Sequence, residues 1–573
     1  MSVDVCIVGS GAGASPVAYT LAKAGAKVVV IEKGPWLTED EFFKDELAIS
    51  LRDSYNPDLA DERHVIEEEY QSENGQRFWQ GEATSDSGWS FWNGNVVGGS
   101  SNFMSGYFHR LKPVDFQLKT EFGEIKGANI ADWPISYQDL EPYYAQVETE
   151  VGVSGKVVAH PYQEPRSTAD FPYPPLAEHA ISTWIDKAAT DIGFHPMPVP
   201  RAVLSLPAMG RRSCEYSGYC SSYGCSSGAK GSGRAALLNH AVGTGNLTII
   251  ANAKVHHLAS NAEGKITGVH YYDSQGRNKS ISAKFYVVAC QAVETSRLLL
   301  SSSSEFFPNG LANNSGQVGK NLVFSAGGTG KGDFYFDQLS AQKQAELKQV
   351  GPFINRALQD WYKIDDKAFA GANKKGKAKG GTIDFLFYQN PIARAQGTQR
   401  DDNGQLVWGE QLKKNLLTEF TTYKTLRFEV FNDWLPTDDC FVTLDDEVTD
   451  KWGDPVAKVR IGSHEHDITV GEYLAEKGAK VLEKMGATNI STSVSSSPPT
   501  NLMAGGCRFG HDPNTSVLNK NCRAHEVDNL YVTDGSFMPT GGSVPYTYTI
   551  YANAFRVAEH IKQQWQKLLP VNS

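Results

Sequence analysis

Residues 4–34 read DVCIVGSGAGASPVAYTLAKAGAKVVVIEKG, and this stretch decides the fold. An apolar run from Val5 to Val8 predicts a buried strand, and it leads directly into G-x-G-x-x-A at residues 9–14. A helix-like segment follows, and a second apolar run ends at Glu32. Strand, glycine turn, helix, second strand and acid in this order predict a complete βαβ dinucleotide-binding unit.

Each small residue of the turn has its own task in such a unit. Gly9 permits the tight turn, Gly11 lets a pyrophosphate approach the backbone, and Ala14 lets the helix pack closely on the strand. The helix N-terminus presents free N–H groups to the phosphates. Glu32 is predicted to accept hydrogen bonds from ribose hydroxyls, and it disfavours NADP because a 2′-phosphate would meet a carboxylate.

The overall composition and charge indicate which kinds of binding partner and which cellular location to expect. Of the 573 residues, 40% are hydrophobic and 21% are charged, which is typical of a globular protein. The net charge of -11 argues against a nucleic-acid or anionic-membrane partner. No apolar run approaches the roughly 20 residues that span a bilayer. Because the first strand begins close to Met1, we expect no signal peptide and a cytoplasmic protein, unless a partner subunit carries it to the periplasm.

A second glycine-rich segment covers residues 88–106, which read GWSFWNGNVVGGSSNFMSG. Its VVGGSSN suits a loop whose N–H groups meet the phosphates or flavin of a cofactor, and a surface turn is the alternative. Residues 247–300 look like another piece of the nucleotide domain, with strands at 247–250 and 255–258 and a helix start in QAVETSRLLLSSS. Ser136 and Asp139 form a plausible helix-capping pair. The Lys/Gly-rich run at 372–380 predicts a solvated loop.

Four further stretches resemble the glucose-methanol-choline (GMC) flavin oxidoreductases. They are VVGGSSN (96–102), YVVACQAVETSRLLL (286–300), GGCRFGHDPNTSVLN (505–519) and VDNLYVTDGSFMPTGGSVPYTYTIYANAFRVAEHI (527–561). With the opening motif they cover the chain in the family's order. The stretches DWPISYQDLEPYY (132–144) and LDDEVTDKWGDPV (444–456) resemble the branch with the large subunits of gluconate, fructose and glucose dehydrogenases.

The resemblance implies an α/β fold with two parts. A Rossmann-like FAD-binding domain, of the GMC and p-hydroxybenzoate-hydroxylase type, would comprise residues 1–115, 200–330 and 500–573. An inserted α+β substrate domain, built on an antiparallel sheet, would comprise residues 116–199 and 331–499.

The resemblance also implies FAD at the opening unit, with the flavin under the second glycine-rich segment. Asp534 and Gly535 would lie at the ribityl chain and pyrophosphate, and Val255 near the adenine. The full set of expected FAD contacts is Gly9, Gly11, Ala12, Ala14, Glu32, Lys33, Gly98, Gly99, Ser101, Asn102, Phe103, Met104, Val255, Ala289, Asp534, Gly535, Pro545 and Tyr546.

The chain departs from the family at the catalytic positions. A His usually stands five residues before the position of Cys507, and a second His or an Asn stands in the loop at 542–550. Here these positions hold Leu502 and Pro545, and neither side chain can move a proton. A shift of one residue would instead place Asn501 and Tyr546 in the site. The alternatives are chemistry that needs no alcohol deprotonation, or a homologue that binds FAD without catalysis.

Three of the eight cysteines are clustered, namely Cys214, Cys220 and Cys225. In the resembling branch such a group can hold an iron–sulfur cluster, and three thiolates would suit a three-iron cluster. Packing or a disulfide in a Gly/Ser/Tyr-rich loop is the alternative. The other cysteines are expected to be buried free thiols in a reducing compartment.

The sequence therefore predicts an FAD-dependent GMC-type oxidoreductase, a dehydrogenase rather than an oxidase. It would oxidise a hydroxyl of a sugar, polyol or related alcohol by hydride transfer to flavin N5, with Tyr546 and Asn501 as catalytic residues. A small subunit or electron-transfer protein is the expected partner. The alternative is a GMC-fold flavoprotein with non-alcohol or light-driven chemistry, or a non-catalytic FAD binder.

Overall fold

The computed structural model describes residues 3–42, 46, 63–72, 74–87, 91, 93–365, 377–387, 390–401, 403–498 and 502–569. The described strands are β1 (Val3–Val8), β2 (Val28–Ile31), β3 (Val65–Gln71), β4 (Arg77–Ala83), β5 (Pro196–Pro198), β6 (Leu247–Ile250), β7 (Lys254–Ser260), β8 (Ile266–Tyr272), β9 (Asn278–Ile281), β10 (Ala283–Val288), β11 (Leu322–Ala326), β12 (Gly328–Tyr335), β13 (Arg356–Leu358), β14 (Lys363–Asp365), β15 (Lys377–Lys379), β16 (Gly381–Phe387), β17 (Tyr423–Asp433), β18 (Cys440–Thr449), β19 (Pro455–Ile461), β20 (Thr488–Val494), β21 (Met503–Gly505) and β22 (Leu530–Val532).

The described α-helices are α1 (Ser15–Lys23), α2 (Thr84–Ser87), α3 (Leu118–Phe122), α4 (Tyr137–Val147), α5 (Ile181–Asp191), α6 (Asn239–Val242), α7 (Ala292–Ser301), α8 (Ala341–Leu347), α9 (Pro391–Gly397), α10 (Gly409–Thr421), α11 (Glu465–Lys484) and α12 (Thr547–Gln566). The predicted cap of α4 is confirmed, because the Asp139 N–H donates to Ser136 Oγ and the Ser136 N–H donates to Asp139 Oδ2. No described helix is both long and apolar enough to cross a membrane.

A parallel sheet of five strands holds the opening motif. Its order is β22-β10-β1-β2-β6, and β1 lies in the middle. Val5, Cys6 and Ile7 of β1 are fully buried, as expected for a parallel strand that is covered on both faces. Helix α1 packs against the C-terminal helix α12. The predicted Rossmann-like domain is therefore confirmed.

A large, mainly antiparallel sheet forms the second part of the fold. Its main path is β20-β12-β17-β16-β13-β5, and β11 pairs with both β17 and β21. Strand alternation turns Leu426, Phe428 and Val430 of β17 towards the long helix α11, with which they share a hydrophobic core. The opposite face, which we call the polar face, carries Ser325, Thr382, Asp384, Glu429 and Asp433.

The described part of the chain also contains three smaller sheets: β18-β19-β3-β4, the meander β7-β8-β9, and β14-β15. The pairing of β3 with β19 joins segments from both predicted domains, whose boundaries stay a prediction. The expectation of a solvated loop at 372–380 is wrong at its end, because Lys379 lies in β15 and is buried between two carboxylates. Residues 372–376 lie outside the described part of the chain.

Candidate active site

The glycine turn after β1 lies where three parallel strands end. Gly9 has a φ of +89°, and a Cβ at this position would lie 2.3 Å from the carbonyl oxygen of Ala289. At Gly13 a Cβ would lie 2.5 Å from the carbonyl oxygen of Thr533. Both glycines are thus required by the backbones of β10 and β22, which approach the turn too closely for a side chain. The sequence analysis identified Gly9 but missed Gly13.

Gly11 differs from these two glycines. A Cβ on Gly11 would meet only Gly99 Cα, at the ordinary contact distance of 3.9 Å. Gly11 and Ala12 are partly exposed, whereas Ala14 is fully buried against the core. The protein's own packing therefore does not demand a glycine at position 11, and the open space beside it suits the close approach of a pyrophosphate.

Glu32 connects this turn with the second glycine-rich loop. Its Oε2 accepts from Ser10 Oγ at 2.5 Å and its Oε1 accepts from the Gly34 N–H at 3.0 Å. Ser10 Oγ in turn accepts from the Gly98 N–H at 2.9 Å. Burial raises the pKa of Glu32, and the charge of the adjacent Lys33 opposes that rise. The predicted ribose acceptor is therefore also the residue that holds the two loops together.

The second loop is fixed by its own side chains. Gly98 and Gly99 have φ values of +94° and +57°. Ser101 Oγ donates to the carbonyl of Gly98 and accepts from the Gly233 N–H at 2.9 Å. Asn102 Nδ2 donates to the carbonyl of Gly99 at 2.9 Å. The loop is not a free surface turn, because its backbone lies against the first glycine turn.

The remaining expected FAD contacts lie around these two loops. Phe103 is buried against Phe42 in an edge-to-face contact, and Met104 is partly buried. The Ala253 N–H donates to the carbonyl of Glu32 at 2.9 Å, which brings the start of β7 and Val255 next to the end of β2. The contact of Val255 with an adenine stays a prediction.

Asp534 is bound by the chain itself. Its Oδ1 accepts from the Ser536 N–H, and its Oδ2 accepts from the Gln291 N–H and from Thr295 Oγ1. Burial raises the pKa of Asp534. The carboxylate therefore ties the turn that contains Gly535 to the start of α7.

Three buried polar atoms beside the glycine loops have no partner among the described residues. They are Ser15 Oγ at the start of α1, Asn102 Oδ1 in the second loop and Thr533 Oγ1 at the end of β22. Buried polar atoms are nearly always hydrogen-bonded, so such atoms indicate a ligand or water at that position. Together with the open space at Gly11, they fit an extended dinucleotide such as FAD.

The two positions at which the family's catalytic groups were expected both lie beside β11. The Ser325 N–H donates to the carbonyl of the half-buried Leu502 at 3.4 Å. In the final loop (residues 541–546), a Cβ on Gly541 would lie 2.6 Å from the carbonyl oxygen of Phe324 and 3.7 Å from Tyr546 Cε1. Pro545 is buried in the same loop. Asn501 lies outside the described residues.

Tyr546 has the features of a hydrogen-bond donor rather than a base. Its side chain is buried, and its hydroxyl has no partner in the described part of the structure. Burial and the nearby carboxylate of Asp433 raise the pKa of Tyr546 well above 10. The phenol is therefore held protonated, and removal of a proton from a substrate requires another group.

A buried ion cluster anchors the final loop to the polar face. Lys379 Nζ contacts Asp433 Oδ2 at 2.6 Å and also contacts Asp115. Asp433 Oδ1 accepts from the Gly542 N–H at 2.7 Å. Burial alone would lower the pKa of Lys379, but the carboxylates of Asp115 and Asp433 outweigh it and raise that pKa. The sequence analysis missed this cluster, because its members are far apart in the chain.

The polar face also carries two acids that were not identified from the sequence, and a histidine outside the sheet contacts one of them. His109 Nε2 lies 3.2 Å from Asp384 Oδ1, and both side chains are buried. Glu429 stands opposite Asp384 on the neighbouring strand. The polar face had a signal in the sequence, namely the alternation of polar and apolar residues in YKTLRFEVFND (423–433). This alternation places Arg427, Glu429 and Asp433 on one face of the strand.

The part of the chain that the structure describes does not arrange the cysteines as a metal site. None of the eight cysteines, all of which are described, forms a disulfide. Cys214 Sγ accepts from the Tyr216 N–H, and Cys225 Sγ accepts from the Lys230 N–H. Among the described residues, no group of three or more His, Cys, Asp or Glu side chains is arranged to hold a metal ion. The expected iron–sulfur cluster at Cys214, Cys220 and Cys225 is therefore not supported, and the alternative of packing within the loop accounts for the contacts.

The chain matches family models and curated proteins over most of its length. Family models described as GMC oxidoreductase match residues 174–325 and 436–554. The 2-methyl-1,2-propanediol dehydrogenase of Mycolicibacterium austroafricanum is 30% identical, and the match covers 99% of this chain and 96% of that protein. Paromamine 6'-oxidase of Streptomyces fradiae is 29% identical over 97% of this chain and 91% of that protein. The fructose dehydrogenase large subunit of Gluconobacter japonicus is 26% identical over 98% of both chains.

Solved structures share the fold. The pyridoxine 4-oxidase of Mesorbium loti superimposes with a TM-score of 0.58 at 16% identity, over 99% of this chain and 100% of that chain. A formate oxidase variant of Aspergillus oryzae superimposes with a TM-score of 0.62 at 16% identity, over 99% of both chains.

Proposed function

The chain belongs to the GMC oxidoreductase family, and from this membership we infer an FAD-dependent enzyme that oxidises a hydroxyl group of a sugar, polyol or related alcohol. The observation in the structure that carries this inference is the meeting of the two glycine loops, since Gly11 and Gly99 approach each other beside open space. The chemistry that FAD supplies when bound is the acceptance of a hydride at flavin N5.

The residues of the chain have separate tasks in this reaction. We propose that Glu32 binds the ribose, that the N-terminus of α1 binds the pyrophosphate, and that the second loop lies along the flavin. Tyr546 donates a hydrogen bond to the substrate's oxygen, because its buried hydroxyl is protonated and has no partner in the described structure. The ion cluster of Lys379, Asp115 and Asp433 keeps the final loop in place for this contact.

A direct test begins with the purified protein. Denaturation should release FAD, and identification of the released chromophore checks this. Anaerobic addition of a panel of sugars, polyols and diols should bleach the flavin with at least one of them. Release of NAD, or a flavin that every alcohol leaves oxidised, would contradict the proposal and favour the alternative of a non-catalytic or differently acting FAD protein.

For the electron acceptor we propose a dehydrogenase that passes electrons to a soluble acceptor or a partner protein. Support comes from two relatives that are named dehydrogenases, one of them a large subunit. Comparison of hydrogen peroxide formation in air with dye reduction under nitrogen distinguishes this from an oxidase. We also propose a cytoplasmic location, because none of the eight cysteines forms a disulfide, which suits a reducing compartment, and cell fractionation tests it.

A further inference from the structure

Ser325 lies beside both positions at which the family's catalytic groups were expected. Its N–H donates to the carbonyl of Leu502 at 3.4 Å. The carbonyl oxygen of the preceding residue, Phe324, lies 2.6 Å from the place of a Cβ on Gly541 in the final loop. Ser325 also pairs across the sheet with Asp433, which holds the final loop by a hydrogen bond. The backbone of Ser325 is therefore fixed between the two catalytic positions and the ion cluster.

Strand alternation directs the side chain of Ser325 to the side of β11 on which Tyr546 lies. Successive side chains of a strand point to opposite faces, so Ser325 shares a face with Val323 and not with Phe324. Val323 packs in the hydrophobic core that contains Tyr546, whereas Phe324 packs in a separate cluster. Leu502 is packed against the core of Tyr546 as well. Ser325, Tyr546 and Leu502 therefore border the same region.

The hydroxyl of Ser325 is buried and has no hydrogen-bond partner among the described residues. Its cross-strand neighbour is Asp433, and the Cβ atoms of such partners are about 4.5–5.5 Å apart. The two oxygens of Asp433 are already engaged, one by Lys379 Nζ and the other by the Gly542 N–H. The hydroxyl of Tyr546 is unpaired in the same way. Because burial of an unpaired hydroxyl costs free energy, two such groups in one region indicate a ligand between them.

Two hydroxyl donors match the oxygen atom of an alcohol. This oxygen has two lone pairs and one proton, so two donors can hold it while its own proton leaves in a third direction. An alkoxide and a carbonyl oxygen both offer at least two lone pairs, so the two hydrogen bonds persist through the oxidation. They become stronger as negative charge develops on the oxygen, which lowers the free energy of activation. Two donors thus favour ionisation of the alcohol in a site where Leu502 and Pro545 occupy the usual positions of the polar groups.

We propose that Ser325 is a second catalytic residue, which donates a hydrogen bond from Oγ to the same substrate oxygen that Tyr546 binds. Asp433 connects the two donors, because it pairs with Ser325 on β11 and holds the final loop that carries Tyr546. No covalent bond to Ser325 forms, and the proton of its hydroxyl stays on Oγ. This inference rests on the proposed oxidation of a hydroxyl group.

Anaerobic stopped-flow reduction of the holoenzyme by an active alcohol tests the proposal. Ser325→Ala should lower the limiting rate about 10- to 100-fold, because one hydrogen bond to the reacting oxygen is lost. The apparent Kd of the alcohol should change much less, since this bond is stronger in the transition state than in the ground state. Ser325→Cys keeps a similar volume but offers only a weak donor, so it should be slow as well. Ser325→Thr keeps the hydroxyl and should recover most of the rate.

Ser302→Ala is the matched control. Ser302 is equally buried, but its Oγ donates to the carbonyl of Leu298 and accepts from the Leu258 N–H. Its replacement should lower the urea midpoint of unfolding and leave the rate unchanged, whereas Ser325→Ala should lower the rate and leave the midpoint unchanged. The FAD released from each variant by denaturation is quantified, which checks that the cofactor is bound.

Three results would overturn the assignment. A wild-type rate in Ser325→Ala, together with a lower unfolding midpoint, would show that Oγ binds a structural water instead. A wild-type rate in Ser325→Cys would show that the volume of the side chain matters and its donor does not. The third is a Ser325→Thr variant that is as slow as Ser325→Ala although it unfolds like the wild type. Failure of the proposed function looks different, because no alcohol would then reduce the wild-type flavin.

Discussion

The glycine loops and the polar face are the two halves of the candidate site, and they satisfy their polar groups in different ways. In the glycine half, the backbones of the two glycine loops are in contact. The carboxylates of Glu32 and Asp534 accept hydrogen bonds from other residues of the chain. In the polar half, Ser325 Oγ, Asp384 Oδ2 and Tyr546 Oη are buried without a partner among the described residues. The glycine half therefore satisfies its carboxylates within the chain and leaves neutral atoms, Asn102 Oδ1 and Thr533 Oγ1 among them, without a described partner. The polar half leaves a carboxylate oxygen without a described partner as well.

The two halves of the site should respond differently to mutations. Changes at Gly9 and Gly13, where the packing of the chain itself demands glycine, should disturb folding and cofactor binding together, whereas a change at Gly11 should affect cofactor binding alone. Changes to unpaired groups of the polar face should alter the reaction with little effect on stability. The ion cluster of Lys379 is the exception, because it belongs to the polar half and is fully paired.

Lys379→Met should have the largest effect on stability. It leaves the buried carboxylates of Asp115 and Asp433 without their cation, and breaking a buried pair in this way costs roughly 3–5 kcal/mol. Urea unfolding measures the loss. The matched control is Lys363→Met, whose exposed pair with Glu121 is worth at most about 1 kcal/mol. Equal losses in both variants would show that the cluster does not stabilise the polar half.

Gly13→Ala should have the next largest effect. Its Cβ would lie 2.5 Å from the carbonyl oxygen of Thr533, and such overpacking costs about 1–3 kcal/mol. Gly11→Ala is the matched variant, because its Cβ meets only Gly99 Cα at 3.9 Å. Thermal unfolding of the apoproteins should therefore separate the two, while FAD content should fall in both. An apoprotein that is equally destabilised by Gly11→Ala would contradict the assignment of the space beside Gly11 to the cofactor.

Tyr546→Phe should reduce the rate and preserve the fold. No described group hydrogen-bonds the Tyr546 hydroxyl, so its removal leaves no partner unsatisfied. Loss of one hydrogen bond to the reacting oxygen should slow flavin reduction about 10- to 100-fold. Tyr286→Phe is the control in the glycine half, where the hydroxyl accepts from the Ala283 N–H. It should cost about 1–2 kcal/mol of stability and leave the rate unchanged. A wild-type rate in Tyr546→Phe would remove this residue from the mechanism.

Replacement of Cys214, Cys220 and Cys225 by Ser should have the smallest effect. The sulfurs make weak contacts within one loop, so stability should change by about 1 kcal/mol or less. Iron and acid-labile sulfide should be absent from the anaerobically purified wild type. Stoichiometric iron that the triple variant lacks would reverse the conclusion on this cluster.

Features whose signals are local could be predicted from the sequence. The predicted strands at 28–31 and 247–250 have those bounds in the structure, and the Ser136–Asp139 cap is present. The predicted contact of the two glycine-rich loops with one site is consistent with the approach of Gly11 to Gly99. The catalytic roles of Tyr546 and Asn501 stay predictions, although burial now makes Tyr546 a donor rather than a base.

Features that depend on two segments far apart in the chain could not be predicted from the sequence. The Lys/Gly composition of residues 372–380 suggested solvent, but Lys379 is buried because two aspartates, one more than 250 residues before it, meet at the same point. Neither Asp384 nor Glu429 looks unusual in its own strand. Only the register of β16 and β17 shows that the two acids stand opposite each other.

The sequence by itself determined the cofactor half, because its requirements lie within one contiguous stretch of about thirty residues. Gly9 and Glu32 each meet a local geometric demand, which leaves few residue types acceptable at these positions. Only the tertiary structure decided the polar half. Strand pairing there set the distances between acids, their burial and therefore their proton affinity, and these depend on partners that the local sequence does not specify.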